Sequence, residues 1–162
     1  MKMWSWKTWL VIWCALLILS GWLSVPLPAD TRSPSKGQLV YVPVYSHIYY
    51  GDKMHSFNLG ITLSLRNTET TRPIEIVSVK YYDENGKLVR DYVPPAVTLE
   101  PLAAVRFHVR ESDVSAGSEA CFLVRWRAPQ KVSPPVIEGL MIGTLLNQGI
   151  SFTATGRVLE EY

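Results

Sequence analysis

Cysteine is almost missing from this sequence of 162 residues, which contains only Cys14 and Cys121. Cys14 lies inside a long hydrophobic segment and Cys121 inside a predicted strand, so the two cannot meet and we expect no intrachain disulfide. No Cys-x-x-Cys motif and no metal-ligand spacing surrounds Cys121. This absence favours a buried cysteine that packs as a small apolar side chain over a reactive thiol.

An excess of charge of either sign is also missing. The chain has 16 basic and 14 acidic residues, and because Lys2 and Lys7 precede the hydrophobic segment, the rest of the chain from Asp30 onward is neutral. A neutral domain lacks the basic surface that a phosphate backbone needs, so we expect no nucleic acid partner. Strong general attraction to anionic lipid headgroups is disfavoured for the same reason.

The sequence lacks the common catalytic and cofactor motifs as well. It contains no Gly-x-Ser-x-Gly turn, no His-Glu-x-x-His pair, no phosphate-binding glycine loop and no dinucleotide-binding glycine motif. The acidic pairs Asp83/Glu84 and Glu160/Glu161 are typical of a solvated turn and a solvated tail. We therefore expect a protein that is not an enzyme and holds no cofactor.

What the sequence does contain is a long uncharged segment near its N-terminus, from Thr8 to Ala29. Thr8 to Val25 is long enough to cross a hydrocarbon core at about 1.5 Å per residue. Residues 1–25 are therefore predicted to be a transmembrane helix that anchors the protein in the membrane. A cleaved signal peptide is the alternative, although Leu27 stands where cleavage after Ala29 would need a small residue.

The lysines before this segment predict that the N-terminus lies in the cytoplasm and the rest of the chain outside. We therefore expect the protein in the cytoplasmic membrane with its domain on the extracytoplasmic side, or secreted if the segment is cleaved. Residues 26–37 are rich in proline and serine and are predicted to be an extended tether. Residues 38–162 are predicted to be the globular domain.

The globular part has the period-two pattern of half-buried β-strands. Residues 57–65 are the clearest case, because five apolar side chains alternate with Asn58, Gly60, Thr62 and Ser64. The alternation fails near Ile76 and Val77, which indicates a bulge or burial on both faces. Asn85-Gly86 indicates a hairpin turn. Eight strands are predicted in all, at 38–45, 57–65, 74–82, 87–93, 104–110, 121–128, 136–146 and 150–159.

Short strands separated by Pro and Gly turns, without a helical period after residue 30, indicate an all-β fold. We predict an immunoglobulin-like antiparallel β-sandwich, with Trp126 in its core. Gly139 and Gly143 have the spacing of a helix-packing motif, but in a strand they are better explained by close backbone fitting.

Four stretches of the chain carry a resemblance to known sequences. They are Val40–Ile48, Ile76–Asp83, Met141–Thr144 and Gln148–Phe152, closed by Gly156-Arg157. In these stretches the chain resembles a bacterial family known as the domain of unknown function 3124. The stretches span most of residues 38–158. The resemblance implies an extracytoplasmic, membrane-attached protein, and it carries over no functional residues.

A first candidate site is a metal site in one loop. His47, Asp52, Met54 and His55 lie within nine residues of sequence and could together bind copper or zinc. Their spacing matches no standard site, and exposed loop residues explain them equally well. A small-ligand or metal carrier built on this loop is therefore the alternative function.

A second candidate site is a partner-binding surface on the first strand. Val40, Val42 and Val44 are expected in the core, which leaves Tyr41, Tyr45, His47 and Tyr49 on the other face. Pro43 lacks an N–H group and predicts a sheet-edge strand. Exposed tyrosines and a free edge suit recognition of another protein, although the same tyrosines could simply cover the rim of their own domain.

Cationic side chains on two other strands could form an anion-binding patch, comprising Arg106, His108, Arg110, Arg125 and Arg127. In an immunoglobulin-like topology, however, the two strands belong to opposite sheets, so two separate solvated faces are favoured. The sequence as a whole predicts a membrane-tethered binding module without catalytic activity, and a possible partner is another protein of the envelope.

Overall fold

A computed structural model of the protein describes residues 33–145 and 148–162. The predicted anchor, residues 1–25, lies outside the described residues, as does most of the predicted tether. Within the described part no helix is long and apolar enough to span a membrane. The same part is built from twelve strands, at Ser35–Val44 (β1), His47–Tyr50 (β2), His55–Asn58 (β3), Gly60–Arg66 (β4), Ile74–Tyr82 (β5), Leu88–Asp91 (β6), Val97–Leu99 (β7), Ala104–Val109 (β8), Ala120–Val132 (β9), Val136–Leu145 (β10), Gln148–Thr155 (β11) and Arg157–Glu161 (β12).

The strands form two main sheets and one separate hairpin. The larger sheet has six strands in the order β12-β1-β9-β5-β6, with β7 paired to the beginning of β5. The smaller sheet has the order β11-β10-β4-β8, and β2 and β3 pair only with each other. All of these pairs are antiparallel, which confirms the predicted all-β fold.

One hydrophobic core lies between the inner faces of the two sheets. Trp126 is completely buried in it, as predicted. The alternation read from the sequence is confirmed on β4, where Ile61, Leu63 and Leu65 are all at 0% exposure. Each such aliphatic side chain contributes about 1.5–3 kcal/mol when it leaves water, which makes this alternation the main specification of the fold.

The first strand is not the edge strand that Pro43 indicated. β1 begins at Ser35 rather than Gln38, pairs with β9 along its length and pairs with β12 over Gln38–Tyr41. Pro43 lies beyond the last β12 pair, Tyr41 with Arg157. Pro43 therefore lies in the last part of β1, which has a partner strand on one side only, whereas the preceding part has partner strands on both sides.

The structure contains both local features that the sequence predicts for β5, a bulge and a hairpin turn. The register shifts between Ile76 and Ser78, which confirms the bulge near Val77. The hairpin to β6 also exists, but only Gly86 in its turn has positive φ, at 77°. Asp83 Oδ1 accepts hydrogen bonds from the N–H groups of Asn85 and Lys87, so the turn is longer than a two-residue turn.

Glycines fit the backbone where strands crowd together. A Cβ on Gly139 would lie 2.7 Å from Val44 Cγ1, and a Cβ on Gly156 would lie 2.6 Å from Val40 Cγ1. Gly156 stands between β11 of the smaller sheet and β12 of the larger one. The chain therefore crosses between sheets at a point where only glycine fits, and one predicted strand becomes two.

Candidate interaction site

The outer face of the larger sheet carries a cluster of partly exposed apolar and aromatic side chains. Alternation places them there, because their neighbours along each strand are core residues such as Val40, Val42, Phe122 and Tyr81. Strand register then brings three strands together. We call this cluster the outer patch, and it comprises Leu39, Tyr41, Pro43, Tyr82, Cys121 and Leu123.

Two rows of directly opposed residues form the centre of the outer patch. In one row Pro43, Cys121 and Tyr82 are adjacent across β1, β9 and β5. In the next row Tyr41 lies beside Leu123. Opposed side chains on neighbouring strands have Cβ atoms about 4.5–5.5 Å apart, so these residues form a continuous surface.

Charged residues surround this apolar centre. Lys80 and Arg157 end the row that contains Tyr41 and Leu123, and Arg125 lies opposite Leu39. Farther along the same face, Arg127 forms a two-pronged ion pair with Glu75, with Nη2 at 3.0 Å from Oε1. The hydrogen bond from Arg127 holds the pKa of Glu75 below its ordinary value. An apolar centre inside a charged margin is the usual anatomy of a protein interface.

The outer face of the smaller sheet has a different character. Arg66 pairs there with Glu138 at 3.0 Å. Leu140 lies between Thr62 and Thr153 on this face, and Ile142, which is 48% exposed, follows it on the same strand. Such a face is an ordinary solvated surface. Its registered positions include Thr62, Ser64, Arg106, His108, Ser151, Thr153 and Thr155. The apolar side chains Leu140 and Ile142 of this face lie on the single strand β10, whereas those of the outer patch extend over three neighbouring strands.

Tyr41 and Cys121 share a partly buried environment in the outer patch. Burial raises the pKa of the Tyr41 hydroxyl, and the neighbouring Cys121 raises it further. Burial also raises the pKa of the Cys121 thiol, against a hydrogen bond from Tyr41 that lowers it. The thiol therefore stays protonated at neutral pH and is a poor nucleophile, which suits packing rather than chemistry.

The structure separates the four predicted partner-binding residues. Tyr41 lies in the outer patch, but Tyr45 follows the end of β1 and packs against the core, with its ring centroid 5.9 Å from that of Phe152. Tyr49 lies on the β2–β3 hairpin and is 51% exposed. The single surface predicted from alternation ends at Val44, because the strand that would continue the alternation ends there.

His47, the fourth of these residues, is held by hydrogen bonds within the chain. Ser46 Oγ donates to the carbonyl oxygen of Gly117 at 2.5 Å and lies 3.0 Å from His47 Nδ1. Because the hydroxyl hydrogen is already donated, Nδ1 must be the donor in that second contact. His47 Nε2 is then left to accept from the Tyr49 hydroxyl at 3.1 Å. Ser46 and His47 therefore fix the hairpin and do not form a nucleophilic pair.

The four predicted metal ligands are not brought together either. In the β2–β3 hairpin His47 opposes Asn58 while His55 opposes Tyr50, which places the two histidines on opposite faces. Asp52 and Met54 lie in the turn between them. Within the part of the chain that the structure describes, no group of three or more His, Cys, Asp or Glu side chains is placed to hold a metal ion.

The five cationic residues considered as one anion site are split between the sheets. Arg106 and His108 lie on β8 of the smaller sheet, with Arg110 just after it, whereas Arg125 and Arg127 lie on β9 of the larger sheet. Sequence analysis missed Leu39, Tyr82 and Leu123 as surface residues. Their alternation with core residues could have shown that they lie on an outer face. It could not have shown that β1, β9 and β5 are neighbours in the sheet.

The architecture defines a class of protein, an all-β domain with two main antiparallel sheets and a partly exposed apolar patch on the outer face of the larger one. The chain belongs to the family described as "Protein of unknown function (DUF3124)", which matches residues 37–159 and confirms the resemblance seen in the sequence. The comparison with curated proteins found no match. Among solved structures the chain is similar to "Crystal Structure of Thermotoga maritima 1070", with 13% identity, coverage of 77% of this chain and 97% of that chain, and a TM-score of 0.49.

Proposed function

We propose that this protein is a membrane-anchored binding module whose domain lies on the extracytoplasmic side and contacts another envelope protein through the outer patch, without catalysis. The observation that carries this proposal is the outer patch itself. The centre of the outer patch, which includes Tyr41, Tyr82 and Leu123, is largely apolar and partly exposed, and it is continuous over three strands. Among the described strands none forms a further layer over it.

The chemistry of the outer patch favours a protein partner. Tyrosine supplies large contact area with a polar tip, and it is among the residues that dominate binding energy at interfaces. The margin carries charges of both signs, since Glu160 lies opposite Leu39 and Asp91 opposite Lys80. A mixed margin of this kind suits a protein surface better than a polyanion.

We also propose that the two sheets form an immunoglobulin-like sandwich and that residues 1–25 are the membrane anchor. Support for the sandwich comes from two antiparallel sheets with one shared core and a buried tryptophan between them. Support for the anchor comes from the uncharged segment Thr8–Ala29 and the lysines before it.

The interaction is tested by crosslinking in living cells. A photo-crosslinking amino acid at position 82 of the full-length protein should give a discrete crosslinked product, which the same amino acid at position 140 should not give. Leu123→Ser should lower the yield of that product about tenfold, because truncating a central interface side chain costs about 1–2 kcal/mol.

Leu140→Ser is the matched control for this experiment. Leu140 is a partly exposed leucine on the outer face of a central strand, as Leu123 is, but it belongs to the other sheet. Both variants should lose similar amounts of thermal stability. Equal loss of crosslinked product in the two variants would show that the effect is one of stability and would contradict the proposed surface.

The anchor is tested by fractionation of the native protein. Full-length protein should remain with the membrane fraction in high salt and at alkaline pH, and detergent should release it, because a hydrophobic span is not held by charge. Recovery of a soluble form that begins near Asp30 would instead show that the segment is a removed signal peptide.

A further inference from the structure

A polar cleft of about 540 Å³ opens on one side of the domain, beside an edge strand of each of the two main sheets. β6 ends the larger sheet and β8 ends the smaller one. The Tyr92 hydroxyl, just after β6, lies 3.5 Å from the carbonyl oxygen of His108 on β8 and joins the two edges. The residues that line this lateral cleft are Arg90, His108, Arg110, Ser112 and Asp113.

Arg90 is one of the lining residues and is held by contacts with two of its neighbours. One of its Nη atoms donates to the Tyr92 hydroxyl and the other to Asp113 Oδ2, both at 3.0 Å. Its guanidinium carbon lies 5.5 Å from the centre of the Tyr92 ring. A guanidinium has five N–H donors, so these two bonds leave donors free for a ligand.

Asp113 acts as a support for Arg90 rather than as a free carboxylate. Its Oδ1 accepts a hydrogen bond from the Ser115 hydroxyl at 2.6 Å, while its Oδ2 faces Arg90. The Ser115 hydroxyl is the main cause that holds the pKa of Asp113 below its ordinary value, and Arg90 lowers it further. The carboxylate therefore stays charged and oriented across the neutral pH range.

Three further lining groups complete the cleft. Arg110 and Ser112 are exposed, and the His108 ring contacts Thr62 Oγ1 through Nδ1 at 3.4 Å, which leaves Nε2 free. The two arginines exceed the one carboxylate in charge, and the nearby Glu111 lines a different depression beside Ser56 and Asn58. The two guanidinium groups, the imidazole and the hydroxyl that line this one cleft are donors of the kind that bind the oxygens of a tetrahedral oxyanion.

We propose that the lateral cleft binds a phosphate group through Arg90 and Arg110, with His108 and Ser112 as further donors. This site is separate from the outer patch, and the proposal does not depend on the function proposed above. The phosphate could belong to a free ion or to a phosphoglycerol headgroup. Both sources offer the same oxygens to the arginines.

The test is a titration of the full-length protein in neutral detergent at constant ionic strength. Inorganic phosphate and glycerol phosphate are the two probes, and the side-chain N–H resonances of Arg90 and Arg110 are observed by NMR. We expect saturable shifts with a Kd of about 1 mM or tighter for at least one probe. Tighter binding of glycerol phosphate would indicate a headgroup, and equal or weaker binding would indicate the free ion.

Variants distinguish a built site from general attraction between charges. Arg110→Gln should weaken phosphate binding about tenfold, whereas Arg106→Gln, on the strand that ends just before Arg110 but outside the cleft, should change it less than about twofold. Arg110 has an exposed side chain, so its replacement should leave the melting temperature almost unchanged. Absence of saturation, or equal weakening by Arg106→Gln and Arg110→Gln, would overturn the proposal.

Discussion

Replacing Asn67 by aspartate is expected to destabilise the domain by about 3–5 kcal/mol, a large part of the total stability of a domain of this size. Asn67 is 2% exposed and lies directly after β4. The substitution keeps the size and shape of the side chain. It removes the amide donors and adds a negative charge in a buried place that is lined by acceptors.

The surroundings of Asn67 explain the size of this effect. Its Nδ2 donates to the carbonyl oxygens of Arg72, Leu99 and Glu100 at 2.9–3.1 Å, so two N–H bonds serve three acceptors. Its Oδ1 accepts from the N–H group of Glu69 at 3.0 Å. One side chain thus joins the loop after β4 to the last residue of β7 and the residue that follows it. In the variant, a carboxylate oxygen would face these carbonyl oxygens without a hydrogen between them.

Urea unfolding of the full-length protein, followed by circular dichroism, measures this loss. Asn58→Asp is the control, because the Asn58 side chain is exposed and its oxygen accepts a long hydrogen bond of 3.4 Å from the Ser56 hydroxyl, which a carboxylate can also accept. That variant should stay within about 0.5 kcal/mol of the parent. Burial should raise the pKa of the new carboxyl at position 67 above its unfolded value. Lowering the pH toward about 4 should therefore restore part of the stability in this variant alone. A loss no larger than that of the control would refute the structural role assigned to Asn67.

The sequence predicted the core of this domain well, because alternation is a local property. Val42 on β1, Leu63 on β4 and Phe122 on β9 are all fully buried, as their spacing requires. The shift of phase at Val77 was also visible, because a bulge moves the apolar residues by one position in the sequence itself. A period of two needs no knowledge of which strands are neighbours.

Strand order and strand ends could be predicted less well from the sequence, since they depend on contacts between distant segments. Pro43 predicted an edge strand because a missing N–H is tolerated where no partner needs it, yet β1 has partners on both sides before that residue. The β2–β3 hairpin was missed because its turn combines Gly51 with Met54, both at positive φ, and no Asn-Gly or Asp-Gly pair marks it. Methionine does not favour positive φ, so its position in the sequence gives no sign of this turn.

The outer patch shows the same limit for the site. Tyr41 was correctly placed on the face opposite the core valines. Leu123 and Tyr82 come from strands about 80 and 40 residues farther along the chain, and only the order β1-β9-β5 puts them beside it. Tyr45, His47 and Tyr49 do not lie on the predicted surface, because β1 ends at Val44. Alternation therefore predicts the face on which a side chain lies but not its neighbours across the sheet.

Gly143→Ala is expected to destabilise the domain by about 2–3 kcal/mol, because there is no space for even one methyl group at this position. A Cβ there would lie 2.5 Å from the carbonyl oxygen of Asn58 and 2.9 Å from Leu59 Cδ2, and it would also overlap the ring of Phe57. The backbone oxygen cannot move without displacing the junction between β3 and β4. This close approach explains why β10 carries glycine at a buried position.

Gly60→Ala is the matched control for this last prediction. Gly60 lies opposite Ile142, the residue next to Gly143, and a Cβ there would have its nearest neighbour at an ordinary 3.6 Å. Its replacement should be neutral or stabilise the domain by up to about 1 kcal/mol, since alanine restricts the unfolded chain. Thermal and urea unfolding of both variants decide the matter. Equal stability of the two variants would mean that the strands around Gly143 can separate without cost, contrary to the packing described here.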